Sequence, residues 1–455
     1  MGFRELVHED WRSCFWHAEL RLFLTVYVDD FKLSGPAEHL DKGWELIRKH
    51  LELDPPTPTG KFLGCDHKPG EAKLVESGAH ARTMEYDMQS FFESCVELFQ
   101  SLTNGKYPLR KVPTPFMTDP RDGDFCVDPT TLSSPPDFLA DHVQTLPLSP
   151  DAPAPGDAEV AVVAREVDLS ALGTPVSGSG ASAEVHSSPG TPDPDGSGPP
   201  ALSFCCNAGE LIAGSLLPAT LRSDVDAASQ PRSADAKGKL MAPPGDLQPI
   251  AAQVCMQILY GARAARYDLL RAIRGLATCF TKWTTTNDRQ LVRLIAYLNS
   301  TLELKMVGYV GDPIDNLVLS LYTDADHAGC TRTMKSTSGV FLCVCGPNTR
   351  FPISASSKKQ TAIPHSSTES ELVAADHGMR TEGLPLLALW AVLTPTPPVL
   401  YHWEDNQACI QILTTGKTQS MRHLSRTHKI CLGWVLERYK DGTVKLLYCD
   451  TNKQA

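Results

Sequence analysis

Apolar and polar positions along this chain change period several times, and each change marks an expected element. The run Leu20-Arg-Leu-Phe-Leu-Thr-Val-Tyr-Val28 is apolar enough for a buried strand, and Asp29-Asp30 follow it at a turn. Leu40, Trp44, Ile47 and Leu51 fall at helical spacing, predicting a helix over 37–52 that Asp54-Pro-Pro ends. Met84, Met88, Phe91, Phe92, Cys95, Leu98 and Phe99 predict a second helix over 84–102. Helical spacing resumes over 250–279 and 288–301. Strands are then expected at 317–324, 338–345 and 349–356, the last two joined by a turn at Gly346-Pro-Asn. A helix over 368–380, a strand over 399–405, helices over 406–413 and 427–439 and a strand over 443–449 complete an α/β order.

Between about 112 and 249 no such period survives. This span holds most of the 35 prolines, with Ser, Gly, Ala and Asp filling the rest. So little apolar area cannot offset the entropy of ordering, which predicts a disordered acidic linker. The domains expected are therefore 1–111, the linker 112–249, a helical connection 250–316 and a C-terminal domain 317–455.

Charge sharpens this division. The net charge of −11 is the sum of −4 over 1–111, −13 over 112–249 and +6 over 250–455. The acidity belongs to the linker, and the mildly basic C-terminal part suits contact with phosphate. The 14 cysteines show no paired metal-ligand spacing, which suits free thiols in a reducing intracellular compartment. No apolar run is long enough for a membrane span.

Three acids stand out against this background. Asp324 ends an expected strand, Glu371 lies early in an expected helix, and Asp405 ends another strand. Only a sheet can unite acids so far apart in sequence. A cage of carboxylates without His or Cys suits Mg²⁺ or Mn²⁺, and two such ions are a recurrent device for cleaving phosphodiesters. Each acid also has a plainer reading: Glu371 as the end of a Thr368 capping box, Asp405 as a helix cap, Asp324 as a turn residue.

At these residues the chain resembles the Pol polyprotein of copia-type LTR retrotransposons, most densely over about 250–455. Asp324-Ala-Asp-His-Ala-Gly329 is similar to the family's DADWAG, with His327 in place of Trp. Lys335-Ser-Thr-Ser-Gly339 matches KSTSG, Ser357-Lys-Lys-Gln360 matches SSKKQ, and Ser367-Thr-Glu-Ser-Glu371 resembles STEAEY. Asp405-Asn-Gln407 matches DNQ, and Ser425-Arg-Thr-His-Lys-Ile430 resembles SRTKHI. Upstream, Tyr27-Val-Asp-Asp30 resembles the reverse-transcriptase palm hairpin, Phe62-Leu-Gly64 the later FLG, and Ala265-Arg-Tyr-Asp268 stands where the family has TRPD.

The resemblance implies an RNase H-like mixed sheet flanked by helices at the C-terminus and a partial palm at the N-terminus. It implies metal-ligating, catalytic roles for Asp324, Glu371 (with Glu369 as the alternative) and Asp405, and a remnant polymerase pair in Asp29 and Asp30. Mg²⁺ or Mn²⁺ would be the cofactor, and RNA–DNA hybrids, DNA and RNA the partners; protease and integrase parts of a polyprotein are implied by the family alone. Lys335, Ser336, Thr337, Lys358, Lys359, Asn406, Gln407, Arg426, His428 and Lys429 are the expected nucleic-acid contacts. Two departures bear on activity. The palm's third aspartate has no counterpart in the roughly 28 residues before Asp29, so polymerisation is expected to be lost. Cys431 replaces the Asp of the family's HID, and Thr451-Asn-Lys-Gln-Ala455 stops one residue before the last Asp of TxxQxAD. The expectation is therefore an RNase H-type nuclease, or a decayed relic that binds nucleic acid without cutting it.

Overall fold

The computed structural model describes residues 2–6, 11–117, 143–145, 158–163, 243–330, 332–394, 397–417 and 423–451. Most of the expected linker, and residues 452–455, therefore lie outside the described residues. The chain divides into two units, with a boundary after Thr57.

In the first unit, β1 (Cys14–His17), β2 (Leu22–Tyr27) and β3 (Asp30–Pro36) form an antiparallel sheet. Helix α1 (Ala37–Arg48) covers it, presenting Leu40, Trp44 and Ile47 to Leu20, Leu22, Leu24 and Leu33. The spacing of those apolar residues is what makes 37–48 a helix with one buried face.

The second unit is built on one large mixed sheet. Its strands are β4 (Cys65–Leu74), β5 (His80–Asp87), β6 (Met306–Val310), β7 (Val318–Asp326), β8 (Thr337–Gly346), β9 (Thr349–Lys359), β10 (Leu400–Glu404) and β11 (Val444–Tyr448). They lie in the order β11-β10-β7-β8-β9-β6-β5-β4. Strands β7, β8 and β9 run antiparallel in turn, while β10 is parallel to β7 and β11 parallel to β10. The expected segment 1–111 thus spans both units, since β4 and β5 pair into the sheet of the C-terminal residues through β6. Residues 84–87 belong to β5, and the helix α2 that follows covers only Gln89–Leu102.

The helical stretch expected over 250–279 is broken at Arg266 into α3 (Gln248–Ala265) and α4 (Leu270–Ala277). The physical cause is a buried charge. Arg266 is 3% exposed. Its guanidinium takes both oxygens of Asp268 at 2.9 and 2.8 Å and the carbonyl and hydroxyl of Thr301 at 2.7 and 2.9 Å. Only a chain that leaves the helix at Arg266 can form that clasp. With α2 and α5 (Thr285–Asn299), these helices enclose Phe92, Phe99, Ile258, Leu269, Ile273, Leu291, Leu294 and Ile295.

Beyond β9 come α6 (Ser367–Gly378), α7 (Leu384–Leu393), α8 (Gln407–Thr415) and α9 (Leu432–Lys440). Helix α6 lies close over the sheet because Gly378 has no side chain; a Cβ there would stand 2.7 Å from Thr323 Cγ2. That approach lowers the helix's acidic first turns toward the end of β7. Among the described residues no helix is long and apolar enough to cross a membrane.

Candidate metal centre

Parallel pairing of β7 with β10 places Tyr322 opposite Trp403, so the strand ends carrying Asp324 and Asp405 finish side by side. Helix α6 then supplies Glu371 from above. A carboxylate oxygen from each of Asp324, Glu371 and Asp405 lies within 4.8 Å of the other two. The three acids singled out in the sequence converge on one spot.

The plainer readings of these acids go to their neighbours. The cap of α6 is Ser366, whose hydroxyl accepts the Glu369 N–H at 3.1 Å, and Glu369 in turn accepts the His365 N–H at 2.9 Å. Glu369 also receives His423 at 2.9 Å and His428 at 2.8 Å. Two residues along a helix is about 200° of rotation, so Glu369 and Glu371 cannot serve the same face. Likewise the cap of α8 is Asn406, accepting Cys409 N–H at 3.0 Å, while Asp405 accepts the Thr451 hydroxyl at 2.7 Å. Asp324 is a strand residue paired with Gly339.

Electrostatics at this spot favour a cation. Two unit charges about 4 Å apart repel by roughly 4 kcal/mol at an effective dielectric constant of 20. Burial, with repulsion from Glu404, Asp324 and Asp405, pushes the Glu371 carboxyl up to about 9. Burial and Asp405 also raise Asp324, although its side chain reaches solvent. Glu371 Oε2 is buried with no hydrogen-bond partner. Such an orphaned oxygen, among hard oxygen donors, fits a divalent Mg²⁺ or Mn²⁺ ion.

A fourth carboxylate was missed. Glu404, fully buried at the end of β10, accepts the Asn406 N–H at 3.1 Å and the Thr323 hydroxyl at 3.3 Å. Burial, then Asp405 and Asp324, push it up to about 8. Behind it, Thr323 Oγ1 meets His402 Nε2 at 2.8 Å, and His402 Nδ1 meets the Tyr439 hydroxyl at 2.8 Å. Burial holds His402 down at about 4, so this buried row is neutral at its His. The only signal in the sequence was a Glu one residue before Asp405.

The expected nucleic-acid contacts divide. Lys358, Gln407, Arg426 and Lys429 are exposed, and Lys335 and Thr337 half-buried. Lys359 donates to Cys330 Sγ at 2.8 Å. Ser336 is fully buried and its hydroxyl accepts the Ala328 N–H, while the His428 side chain is 1% exposed and held by Glu369. These two, like Asn406, have structural duties. Asp29 and Asp30 belong to the first unit, on the β2–β3 hairpin, where Val28 takes a left-handed φ of 54°.

Compared with known proteins, the chain matches no family model. It is similar to the retrovirus-related Pol polyprotein from transposon RE2 of Arabidopsis thaliana, at 28% identity over 192 residues. The match covers 42% of this chain and 12% of that relative, so the chain spans a small part of the relative's length. The similarity supports a retrotransposon-related origin.

Proposed function

We propose that the chain is a fragment of a copia-type retroelement polyprotein whose second unit hydrolyses the RNA strand of RNA–DNA hybrids with divalent metal. The observation that carries this reading is the convergence of Asp324, Glu371 and Asp405 within 4.8 Å, beside a buried Glu371 oxygen without a partner. The strand order, in which the first of five strands is flanked by the second and by a parallel fourth, supports an RNase H-like sheet. Asp324, Glu371 and Asp405 would hold the metal. When bound, divalent ions supply an activated water and neutralise the charge gathering on the phosphate. The chain's own part is to fix those oxygens: α6 carries Glu371, Thr451 steadies Asp405, and the Tyr439–His402–Thr323–Glu404 row braces the strand ends. Lys358, Gln407, Arg426 and Lys429 are the basic and polar side chains left exposed for the backbone.

Reverse transcription is left out of this reading, because among the described residues no third acid joins Asp29 and Asp30. A second reading has its own support. The converging group numbers three among the described residues, and Glu404 is already engaged, which suits a nucleic-acid binder without turnover.

A labelled RNA–DNA hybrid incubated with the full chain separates the two. The nuclease reading expects cleavage of the RNA strand in Mg²⁺ or Mn²⁺, none in EDTA, and a loss of at least about a hundredfold in Asp324→Asn. Hybrid binding with no cleavage at any metal concentration leaves the binder.

A further inference from the structure

We infer that a cationic cavity beside the carboxylate cleft is the seat of a backbone phosphate of the bound nucleic acid, an assignment that rests on the function proposed above. The cavity, about 80 Å³, opens between α4, the end of β7 with the loop after it, and the last residue of β9. One water needs roughly 10–15 Å³ of such space, so a phosphate group has room. Four cations from these separate segments line it: Arg271, Arg274, Arg332 and Lys359, against the single acid Asp326.

The geometry of Arg274 and Lys359 leaves each with N–H donors beyond its one bond within the protein. Arg271 pairs with Asp326 at 2.8 Å, and Arg274 Nε donates to the Ser357 carbonyl at 3.2 Å. Arg332 donates to Cys279 Sγ at 3.0 Å and Lys359 to Cys330 Sγ at 2.8 Å. Thiol sulfur is a weak acceptor, and each guanidinium carries five N–H groups. Burial raises the Cys330 thiol's pKa, but its hydrogen bonds to Lys359 and Thr333 bring it below the ordinary value. Arginine forks match the paired oxygens of a phosphodiester better than they match a lone carboxylate oxygen.

Position ties the cavity to the cleft. Asp326, on its wall, follows Asp324 by two residues along β7, roughly 7 Å at strand rise. Arg271 reaches the same strand end, pairing with Asp326 at 2.8 Å. A strand whose scissile phosphate lay against Asp324 would therefore place a neighbouring phosphate at the cavity.

The test uses the full chain and a fluorescent RNA–DNA hybrid, with Ca²⁺ replacing Mg²⁺, and follows anisotropy across a KCl series. Arg274→Gln combined with Lys359→Gln is expected to weaken binding about 10- to 100-fold near 0.1 M salt. The slope of log K against log [KCl] should fall by about 1–2, one per phosphate contact removed. Lys73→Gln, an exposed lysine on β4, should change neither. The unaltered chain gives a second readout: hybrid should slow maleimide labelling of Cys330 several-fold. If wild type binds the hybrid and the double variant keeps its slope, the cavity assignment alone falls. Wild type that fails to bind hybrid sinks the underlying reading as well. Protection of Cys330 by inorganic phosphate, or by an acidic peptide, without protection by hybrid overturns the assignment in favour of another anion.

Discussion

Glu371 shows at the scale of one residue why a binding site costs stability when it is empty. Its proton stays on in the folded chain up to about pH 9, against 4.5 for an ordinary glutamate. A raised carboxylate of this kind favours folding fully at low pH, and that contribution is lost as pH climbs from about 4.5 through 9. Glu371→Gln removes the loss. In EDTA it is expected to raise Tm, increasingly so from pH 6 to 9, with a gain of at least about 1 kcal/mol, or roughly 2–4 °C. A thermal melt series across that range checks it; a variant equal to wild type at pH 9 contradicts the assignment. The same proton must leave for metal to bind, so metal affinity should rise with pH, by up to about tenfold per unit below pH 9. The sequence favoured Glu371 and kept Glu369 as the alternative in the same short motif. What separates them is the helix face each occupies, and that depends on where α6 docks. Glu404 was overlooked because a Glu beside a strand-end Asp reads as solvent-facing until a second parallel strand buries it.

At the scale of elements, the long apolar runs were readable and the polar strands were not. Strands β7, β8 and β9 fall within a few residues of the expected bounds: β7 and β8 carry an apolar core face, and β9 follows β8 directly across the turn at 347–348. Strands β4, β5 and β6 escaped notice. Cys65–Leu74 is largely charged and contains Pro69 and Gly70, and the apolar residues at the end of β5 run into the stripe of α2. β4 and β5 pair locally, but β5 meets β6 across more than two hundred residues, beyond any local pattern. The break at Arg266 was equally hidden, since a buried arginine clasp leaves no periodic trace. Arg266→Met should remove its bonds to Asp268 and the Thr301 carbonyl and destabilise the second unit by about 1–3 kcal/mol. Urea unfolding read at the tryptophans would measure it, and a shift under about 1 kcal/mol would mean the clasp is dispensable.

For the whole molecule, the charge distribution is compatible with the nucleic-acid partner proposed above. Residues 250–455 carry +6 while the chain carries −11. Hybrid binding is therefore expected to weaken steeply with salt despite the acidic total. Divalent ion should also stabilise the second unit by mass action, by about 2.7 kcal/mol at a hundred times its Kd. The converging carboxylates were foreseeable from element order, but the unit boundary after Thr57 was not, because it depends on which strands share a sheet. The most direct measurement is Mn²⁺ binding to the full chain at pH 8, followed by the loss of the free-ion electron paramagnetic resonance signal. Wild type should take up Mn²⁺ in the micromolar to submillimolar range, and Asp324→Asn and Glu371→Gln should each weaken that uptake at least about tenfold. Equal uptake by all three proteins, or none by wild type below several millimolar, would contradict a metal centre at Asp324, Glu371 and Asp405.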